Sequence, residues 1–144
     1  MKLRFLLFMG VLLGSFGLQA APLITPKEAK LPDAAGSLNT RGISRGPTVK
    51  CISPEPGAPV KGPFEFKVTF EPRGGSSINA SSVKVTYLKS PTVDLTSRVK
   101  SSLSDSGIDM KHAEIPPGEH QVKVSVQDSD GRESSTIVTL VGAK

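Results

Sequence analysis

Short stretches of the chain alternate between apolar and polar residues, which is the pattern of β-strands with one buried face. The pattern predicts strands near residues 49–52, 64–70, 83–87, 108–115, 119–127 and 134–141. In the three clearest strands, the residues predicted to face the core are Phe64, Phe66, Val68, Phe70, Val83, Val85, Tyr87, Val122, Val124 and Val126. Tyr87 shares the parity of Val83 and Val85, so this single tyrosine is expected to point inward.

Turn residues separate these strands at short intervals. Pro116-Pro117-Gly118 forms one predicted corner, and Asp128-Ser129-Asp130-Gly131 forms a tight turn in which Gly131 supplies a positive φ. One short helix is predicted after Asp94, which can cap it, because Leu95, Val99 and Leu103 recur at helical spacing. The spacing of strands and turns over residues 48–144 predicts one all-β domain made of two packed sheets.

The N-terminal 47 residues lack this pattern. Lys2 and Arg4 precede an apolar stretch over 5–18, and Leu18-Gln19-Ala20 carries the small residue of a cleavage site, so residues 1–20 are predicted to be a secretory signal. A retained anchor is the alternative, but the stretch is shorter than the roughly 20 apolar residues of a membrane span. Residues 21–47 are rich in Pro, Ala, Gly, Ser and Thr, which predicts a flexible, disordered leader.

Charge and cysteine content narrow the class of protein. Removal of Lys2 and Arg4 with the signal takes the formal charge from +5 to +3, and no basic block remains that predicts nucleic-acid binding. A mild positive charge favours contact with anionic polymers of the cell envelope, with the alternative, which we prefer, that it simply keeps the protein soluble. Cys51 is the single cysteine, so the domain has no internal disulfide. We expect Cys51 to be a small buried residue near the first strand, with a reactive or bridging thiol as the alternative.

Candidate sites for chemistry are few. Asp128 and Asp130 are the candidates for calcium, because paired loop carboxylates suit a hard cation, although turn formation explains the same residues. His112 and His120 flank the Pro-Pro-Gly corner, and we expect both at the surface or at strand ends. No serine has the context of an activated nucleophile, and no Cys/His spacing resembles a zinc site. We therefore expect no enzymatic activity and no cofactor.

Several segments together resemble the bacterial immunoglobulin-like domain of envelope and secreted proteins. They are Ile78-Asn-Ala-Ser-Ser-Val-Lys-Val, Val93-Asp-Leu-Thr96, Gly107-Ile108, Pro117-Gly-Glu-His-Gln-Val and Val126-Gln-Asp-Ser-Asp-Gly131. The resemblance covers residues 48–141 and implies an immunoglobulin-like Greek-key β-sandwich, here in a single copy behind a signal peptide. Such domains serve as spacers, adhesin units and accessory modules. The resemblance therefore implies a non-catalytic exported module that binds or supports another envelope protein or polymer. We expect it in the periplasm, with a secreted or cell-surface location as the alternatives.

A partner surface is predicted from the outward-facing residues. If the third and penultimate strands pair, as they do in this fold, then Lys84 and Thr86 adjoin Lys123 and Ser125. These four residues, with Arg41 and Arg45 of the leader, form the predicted partner surface. The alternative is a solvated face whose lysines discourage edge association. The leader can also dock by adding a strand to a sheet edge.

Two other binding functions stay open as alternatives. One is calcium-dependent adhesion, and the other is carbohydrate binding. The chain has no Trp and its single Tyr is expected to face inward, so an aromatic platform for sugars is not expected. A carbohydrate site would have to consist of polar side chains in the loops.

Overall fold

The computed structural model of the chain describes residues 21–34, 45–55 and 57–144. In these residues the elements are β1 (Ala21–Pro22), α1 (Pro26–Ala29), β2 (Thr48–Ser53), β3 (Pro59–Val60), β4 (Phe64–Glu71), β5 (Ile78–Tyr87), β6 (Val93–Asp94), α2 (Thr96–Val99), β7 (Leu103–Ser104), β8 (Gly107–Glu114), β9 (Gly118–Asp128) and β10 (Glu133–Gly142). A 3₁₀ turn, Lys100–Ser102, follows α2.

The strands form two five-stranded sheets. The first sheet has the order β1-β8-β4-β2, with β7 also paired to β8, and the second has the order β3-β10-β9-β5-β6. The pairs β1–β8 and β3–β10 are parallel, and the other pairs are antiparallel. The prediction of an all-β, two-sheet sandwich with a short helix is confirmed.

The core lies between the sheets and contains the residues that the alternation predicted. Tyr87 is fully buried, and of the ten predicted core residues Phe64 alone is half-buried rather than buried. Phe64 lies where the β4–β8 register shifts, so its side chain leaves the strict alternation. The outer faces of both sheets carry the polar residues between these positions.

The predicted helix is present but shorter than its apolar spacing suggests. Asp94 Oδ1 accepts a hydrogen bond from the Thr96 backbone N–H at 2.9 Å, and Leu95 and Val99 are buried. Leu103 is not helical, because it begins β7 and pairs with Ile108. The i+8 position therefore contributes to the first sheet instead.

The prediction of a flexible leader is wrong for residues 21–34, which form an N-terminal strap packed onto the sandwich. Its strand β1 pairs with Ala113 and Glu114 of β8, and Leu23 and Ile24 are 0 % and 1 % exposed within the core. The composition of the segment is typical of a linker, but two adjacent large apolar residues suffice to bury it where a strand edge is open. The domain therefore includes residues N-terminal to its predicted boundary at Thr48.

Some predictions concern residues outside the described ranges. The predicted signal over 1–20, part of the predicted leader over 35–44, and Arg41 all lie there. Among the residues that the structure describes, no helix is long and apolar enough to cross a membrane.

Candidate functional site

The structure brings together the four residues of the predicted partner surface that lie on strands. In the antiparallel ladder between β5 and β9, Lys84 pairs with Ser125 and Thr86 pairs with Lys123. Both lysines are exposed, and Thr86 and Ser125 are half-buried. Directly opposed side chains on one face lie about 5 Å apart at Cβ, so the four form one compact patch, which we call the lysine row.

The positive charge of the two lysines in this row is available to a binding partner. Within the described ranges, neither Lys84 nor Lys123 forms a salt bridge. Asp94 lies on the adjacent strand, and its pKa is lowered chiefly by hydrogen bonds from Thr96, with a smaller contribution from the charge of Lys84. The row therefore keeps most of its positive charge for an external group.

The outer face of the first sheet is different because its charges neutralise one another. Lys111 Nζ lies 3.5 Å from Oδ2 of Asp109 on the same strand and 3.8 Å from Oε2 of Glu65 on the neighbouring strand β4. Exposed pairs of this kind add little stability, but they leave no net field of one sign. The lysine row differs from this cluster in that its two ammonium groups have no salt-bridge partner among the described residues.

Arg45, the other described member of the predicted surface, does not join the lysine row through any strand register. It is exposed just before β2, and the adjacent Gly46 packs closely against Ser134 at the beginning of β10. Arg45 therefore adds positive charge at another place on the domain.

A bidentate ion pair ties the strap to the sandwich. Arg98 Nη1 donates to Glu28 Oε2 at 2.7 Å and to the Leu23 carbonyl at 3.0 Å, and Nη2 donates to Glu28 Oε1. The Thr25 backbone N–H also donates to Glu28 Oε2, which completes a capping box at the start of α1. The hydrogen bonds from Arg98 are the main reason that the pKa of Glu28 falls to about 2.

A second ion pair holds the end of the strap, and its lysine is buried. Lys89 Nζ lies 2.5 Å from Asp33 Oδ1, and the two side chains are 9 % and 89 % exposed respectively. The ammonium also lies 5.4 Å from the centroid of the Tyr87 ring, within range of a cation–π interaction. The hydrogen bond with Asp33 is the main cause of the raised pKa of Lys89.

Beneath Lys89, Tyr87 and His120 form a buried hydrogen-bonded pair. His120 Nε2 lies 2.8 Å from the Pro116 carbonyl, which can only accept, so Nε2 carries a hydrogen and donates. In the neutral ring Nδ1 then accepts from the Tyr87 hydroxyl at 2.7 Å. Both nitrogens of His120 therefore have structural partners inside the protein.

The two histidines lie in different environments. His112 is exposed on β8 of the first sheet, whereas His120 lies near the start of β9 in the second sheet and is 4 % exposed. The expectation of surface or strand-end positions fits His112 and the place of His120 in its strand, but it missed the burial of His120. The corner between the two strands carries the chain from the first sheet to the second, so the two histidines lie on different sheets.

The calcium candidate Asp128 has its oxygens engaged by protein donors. Oδ1 accepts from the backbone N–H groups of Asp130 and Arg132 at 3.0 and 2.9 Å, and Oδ2 accepts from Arg132 Nε at 2.9 Å and Ser76 Oγ at 3.3 Å. Burial alone would raise the pKa of Asp128, but these backbone hydrogen bonds hold it below its ordinary value. Together with Gly131 at φ +77°, Asp128 shapes the turn.

Metal-binding potential is also low elsewhere in the described part of the chain. Asp130 pairs with Arg132 Nη2 at 3.0 Å. No group of three or more His, Cys, Asp or Glu side chains in the described ranges is arranged to hold a metal ion. The arrangement at Asp128 and Asp130 is thus that of a stabilised turn.

Cys51 is half-buried on β2. Its Sγ lies 3.5 Å from the Pro54 carbonyl oxygen and 3.7 Å from the Ser53 carbonyl oxygen. Burial is the main cause of its raised pKa. The thiolate is the reactive form of cysteine, so a raised pKa disfavours reaction at neutral pH. Cys51 thus has the properties of a packing residue.

Lys89 and Glu28 carried no sequence-based prediction, although signals for both exist. Lys89 lies two residues beyond Tyr87 and so continues its inward parity, just as His120 precedes Val122 and Asp128 follows Val126. Glu28 is the third residue after Thr25, with Pro26 at the first helical position, which is the signature of a capping box. The partner of each, distant in sequence, is visible only in the fold.

The chain matches no protein-family model, no curated protein and no solved structure. Its class is therefore defined by its own architecture. It is a two-sheet β-sandwich with an N-terminal strap, a positively charged lysine row on one outer face, and a buried lysine at the end of that same sheet.

Proposed function

We propose that this protein is an exported, non-catalytic module of immunoglobulin-like type that binds or supports another envelope protein or polymer. The strand order supports the immunoglobulin-like assignment, since β2-β4-β8-β7 corresponds to the A-B-E-D sheet and β10-β9-β5 to the G-F-C sheet of that fold. The chain changes sheet after β2, β3, β4, β6 and β8, and the changes after β4, β6 and β8 support a Greek-key arrangement.

The lysine row is the observation that carries the binding proposal. Lys84 and Lys123 present two unpaired ammonium groups, and Thr86 and Ser125 present hydroxyls between them. Ammonium groups and hydroxyls together suit a partner with carboxylate or other anionic groups. Exposed complementary charge mainly raises the rate of association, so binding should weaken as salt concentration rises.

Export rests on the sequence of residues 1–20. Cleavage after Ala20 would leave β1 at the new N-terminus, followed directly by the buried Leu23 and Ile24. Mass spectrometry of the protein from its native cells should find Ala21 as the first residue, in a fraction outside the cytoplasm. An intact Met1 in the cytoplasmic fraction would contradict export.

Site-specific photocrosslinking in native cells tests the binding face. A photoreactive amino acid at Ser125 reports on the outer face of the second sheet, and the same amino acid at the equally half-buried Thr69 reports on that of the first. We expect a discrete adduct from position 125 and none from 69. Adducts of equal yield from both positions, or from neither, would contradict the proposed face.

Charge reversal provides a second test of the same proposal. K84E/K123E changes the lysine row, and K50E/K61E makes the same change in net charge at exposed lysines outside it. The adduct from position 125 should disappear in the first variant and persist in the second. Equal loss in both would mean that net charge, and not the lysine row, recruits the partner.

A further inference from the structure

A polar cavity opens beside Lys89 at the end of the second sheet. Its volume is about 280 Å³, and it is lined by Asp33, Ala34, Leu88, Lys89, Glu119 and Gln121. The lining comes from the end of the strap, the chain just after β5, and the beginning of β9. Backbone hydrogen bonds join these three parts, from Ala34 N–H to the Leu88 carbonyl and from Leu88 N–H to the Gln121 carbonyl.

The lining offers donors and acceptors in balance. Asp33 and Glu119 supply carboxylate acceptors, Lys89 supplies an ammonium donor, and the amide of Gln121 supplies both. The carboxylates of Glu119 and Asp33 would repel an anionic ligand, and the ammonium of Lys89 would repel a cationic one. A neutral ligand with several hydroxyls fits better, because each hydroxyl can donate to a carboxylate and accept from the ammonium or the amide.

The buried lysine is held in place before any ligand arrives. Asp33 fixes the Lys89 ammonium on one side and the Tyr87 ring lies within cation–π range of it, while His120 fixes the Tyr87 hydroxyl. The carboxylate of Asp33 is mostly exposed, so it can accept further hydrogen bonds from a ligand. A donor that is already oriented loses little side-chain entropy on binding, which favours affinity.

The cavity lies beside the lysine row on the second sheet. Gln121 and Lys123 lie on the same face of β9, two residues or about 7 Å apart, and Leu88, directly after β5, lies two residues from Thr86. A ligand that occupies the cavity and extends along the sheet therefore reaches Lys123 and then Lys84. The cavity volume of about 280 Å³ is slightly below the roughly 300–1,000 Å³ of typical small-molecule pockets. A volume of this size suits a single sugar unit.

From these contacts we propose that the cavity binds one neutral sugar unit of a glycan chain, and that acidic units of the same chain contact the lysine row. This inference rests on the proposed function and names the class of its partner. Carbohydrate is thereby bound through polar side chains, without an aromatic platform, since Tyr87 lies beneath the cavity in the core.

Two oligosaccharides distinguish binding in the cavity from binding to the lysine row. Chitotetraose offers neutral N-acetylglucosamine units alone, whereas a hyaluronan tetrasaccharide alternates the same unit with an acidic one. In ¹H–¹⁵N NMR titrations of the protein expressed from its full sequence, both should shift the signals of Ala34, Leu88 and Gln121. The hyaluronan fragment should bind about tenfold more tightly at low salt, and this advantage should vanish in K84E/K123E.

Variants of the lining supply the matched controls. Q121A and E119Q should each weaken both oligosaccharides about tenfold, because Q121A removes an amide from the cavity and E119Q replaces one carboxylate acceptor by an amide donor. Q127A removes the same side chain on the same strand face, but at the opposite end of β9, and should leave both affinities unchanged. The unliganded spectrum of each variant reports whether it is folded, and E119Q alters an exposed side chain.

The outcomes distinguish this inference from the proposed function. If neither oligosaccharide shifts the cavity signals, or if Q127A weakens them as much as Q121A, the sugar site is wrong. If in that case an acidic protein is crosslinked at Ser125 and lost in K84E/K123E, the lysine row binds protein and the proposed function stands alone. If Q121A and E119Q weaken both ligands while K84E/K123E weakens neither, the cavity binds sugar and the proposed role of the row is wrong.

Discussion

Two acidic residues of the strap, Glu28 and Asp33, each bind a basic side chain of the sandwich, but their surroundings differ. At the first pair, Glu28 and Arg98 are 17 % and 29 % exposed, and the carboxylate accepts hydrogen bonds from two guanidinium nitrogens and one backbone N–H. At the second, Lys89 is buried while Asp33 is almost fully exposed and its carboxylate accepts one hydrogen bond from the Lys89 ammonium.

Because the two ion pairs differ in this way, the two ends of the strap have different roles. A carboxylate with several charge-assisted hydrogen bonds, sheltered from water, holds its position firmly. A carboxylate in water, bound to one ammonium, contributes little to stability and can share that ammonium with a ligand. We interpret the Glu28–Arg98 pair as a structural anchor and the Asp33–Lys89 pair as part of a binding site.

The largest expected effect tests whether the strap that carries both pairs is part of the core. Ile24→Ala removes a side chain that is 1 % exposed, and it should lower the free energy of unfolding by about 3 kcal/mol. Ile52→Ala is the matched control, because Ile52 is 44 % exposed and the same change should cost about 0.5 kcal/mol or less. Urea denaturation of both variants provides the measurement.

Equal effects of the two isoleucine substitutions would mean that the strap leaves the sandwich in solution. In that event neither ion pair persists, and the cavity beside Lys89 loses one of its walls.

The next effect concerns the anchor itself. Glu28→Gln keeps the shape of the side chain but removes its charge, so the guanidinium of Arg98 loses charge-assisted hydrogen bonds. We expect unfolding to become easier by about 2 kcal/mol, the usual contribution of hydrogen bonds to charged groups. Urea denaturation at neutral pH measures this loss, and an unchanged midpoint would show that the pair is no anchor.

The acid dependence of stability follows from the lowered pKa of the same group. Glu28 titrates at about 2 in the folded protein instead of 4.5, so its contribution is complete above about pH 4.5 and is lost as the pH falls through 2. The difference in stability between the wild type and Glu28→Gln should therefore shrink between pH 5 and pH 2. A difference that stays constant over this range would contradict the lowered pKa.

A smaller effect is expected from the support beneath Lys89. Tyr87→Phe removes the hydroxyl that donates to His120 Nδ1, leaving a buried nitrogen without its donor, at a cost of about 1 kcal/mol. Tyr87 contacts Lys89 and not Glu28, so its effect should add to that of Glu28→Gln but couple with that of Asp33→Asn. If the effect of Tyr87→Phe also added to that of Asp33→Asn, Tyr87 would not interact with the Asp33–Lys89 pair.

The two ion pairs also mark the limit of what the sequence predicts. Alternation identified the core strands, because inward residues such as Val83, Val85 and Tyr87 recur with period two when one face is buried. The same parity extends to Lys89. Because lysine is polar, the sequence pattern does not indicate that this residue points inward. Parity shows that such a residue needs a buried partner, but not which residue supplies it.

The strap illustrates the complementary difficulty. Leu23 and Ile24 are its fully buried apolar residues among those whose burial is described, and Ala29 packs partly buried beside the core, which is too few residues for a periodic pattern. The Thr25–Glu28 capping box nevertheless indicates the start of a helix. The distance in sequence from Glu28 to Arg98 is 70 residues, so the anchor follows from the packing of the sheets and not from local spacing. The lysine row was predictable because an assumed pairing of β5 with β9 is enough to assemble it.

The smallest expected effect is the most informative for the second pair. Asp33→Asn should change the free energy of unfolding by about 0.5 kcal/mol or less, because the Asp33 carboxylate is 89 % exposed and the amide oxygen of asparagine can still accept the hydrogen bond from Lys89. This change can be measured beside Glu28→Gln in the same urea series. The pKa of Lys89 should nevertheless fall, since the hydrogen bond with Asp33 is the main cause that raises it. ¹³C NMR titration of the lysine side chains would detect this fall, with exposed Lys61 as the internal control. A loss of stability as large as that of Glu28→Gln would instead make the second pair an anchor like the first, and the exposed carboxylate would then be unavailable to a ligand.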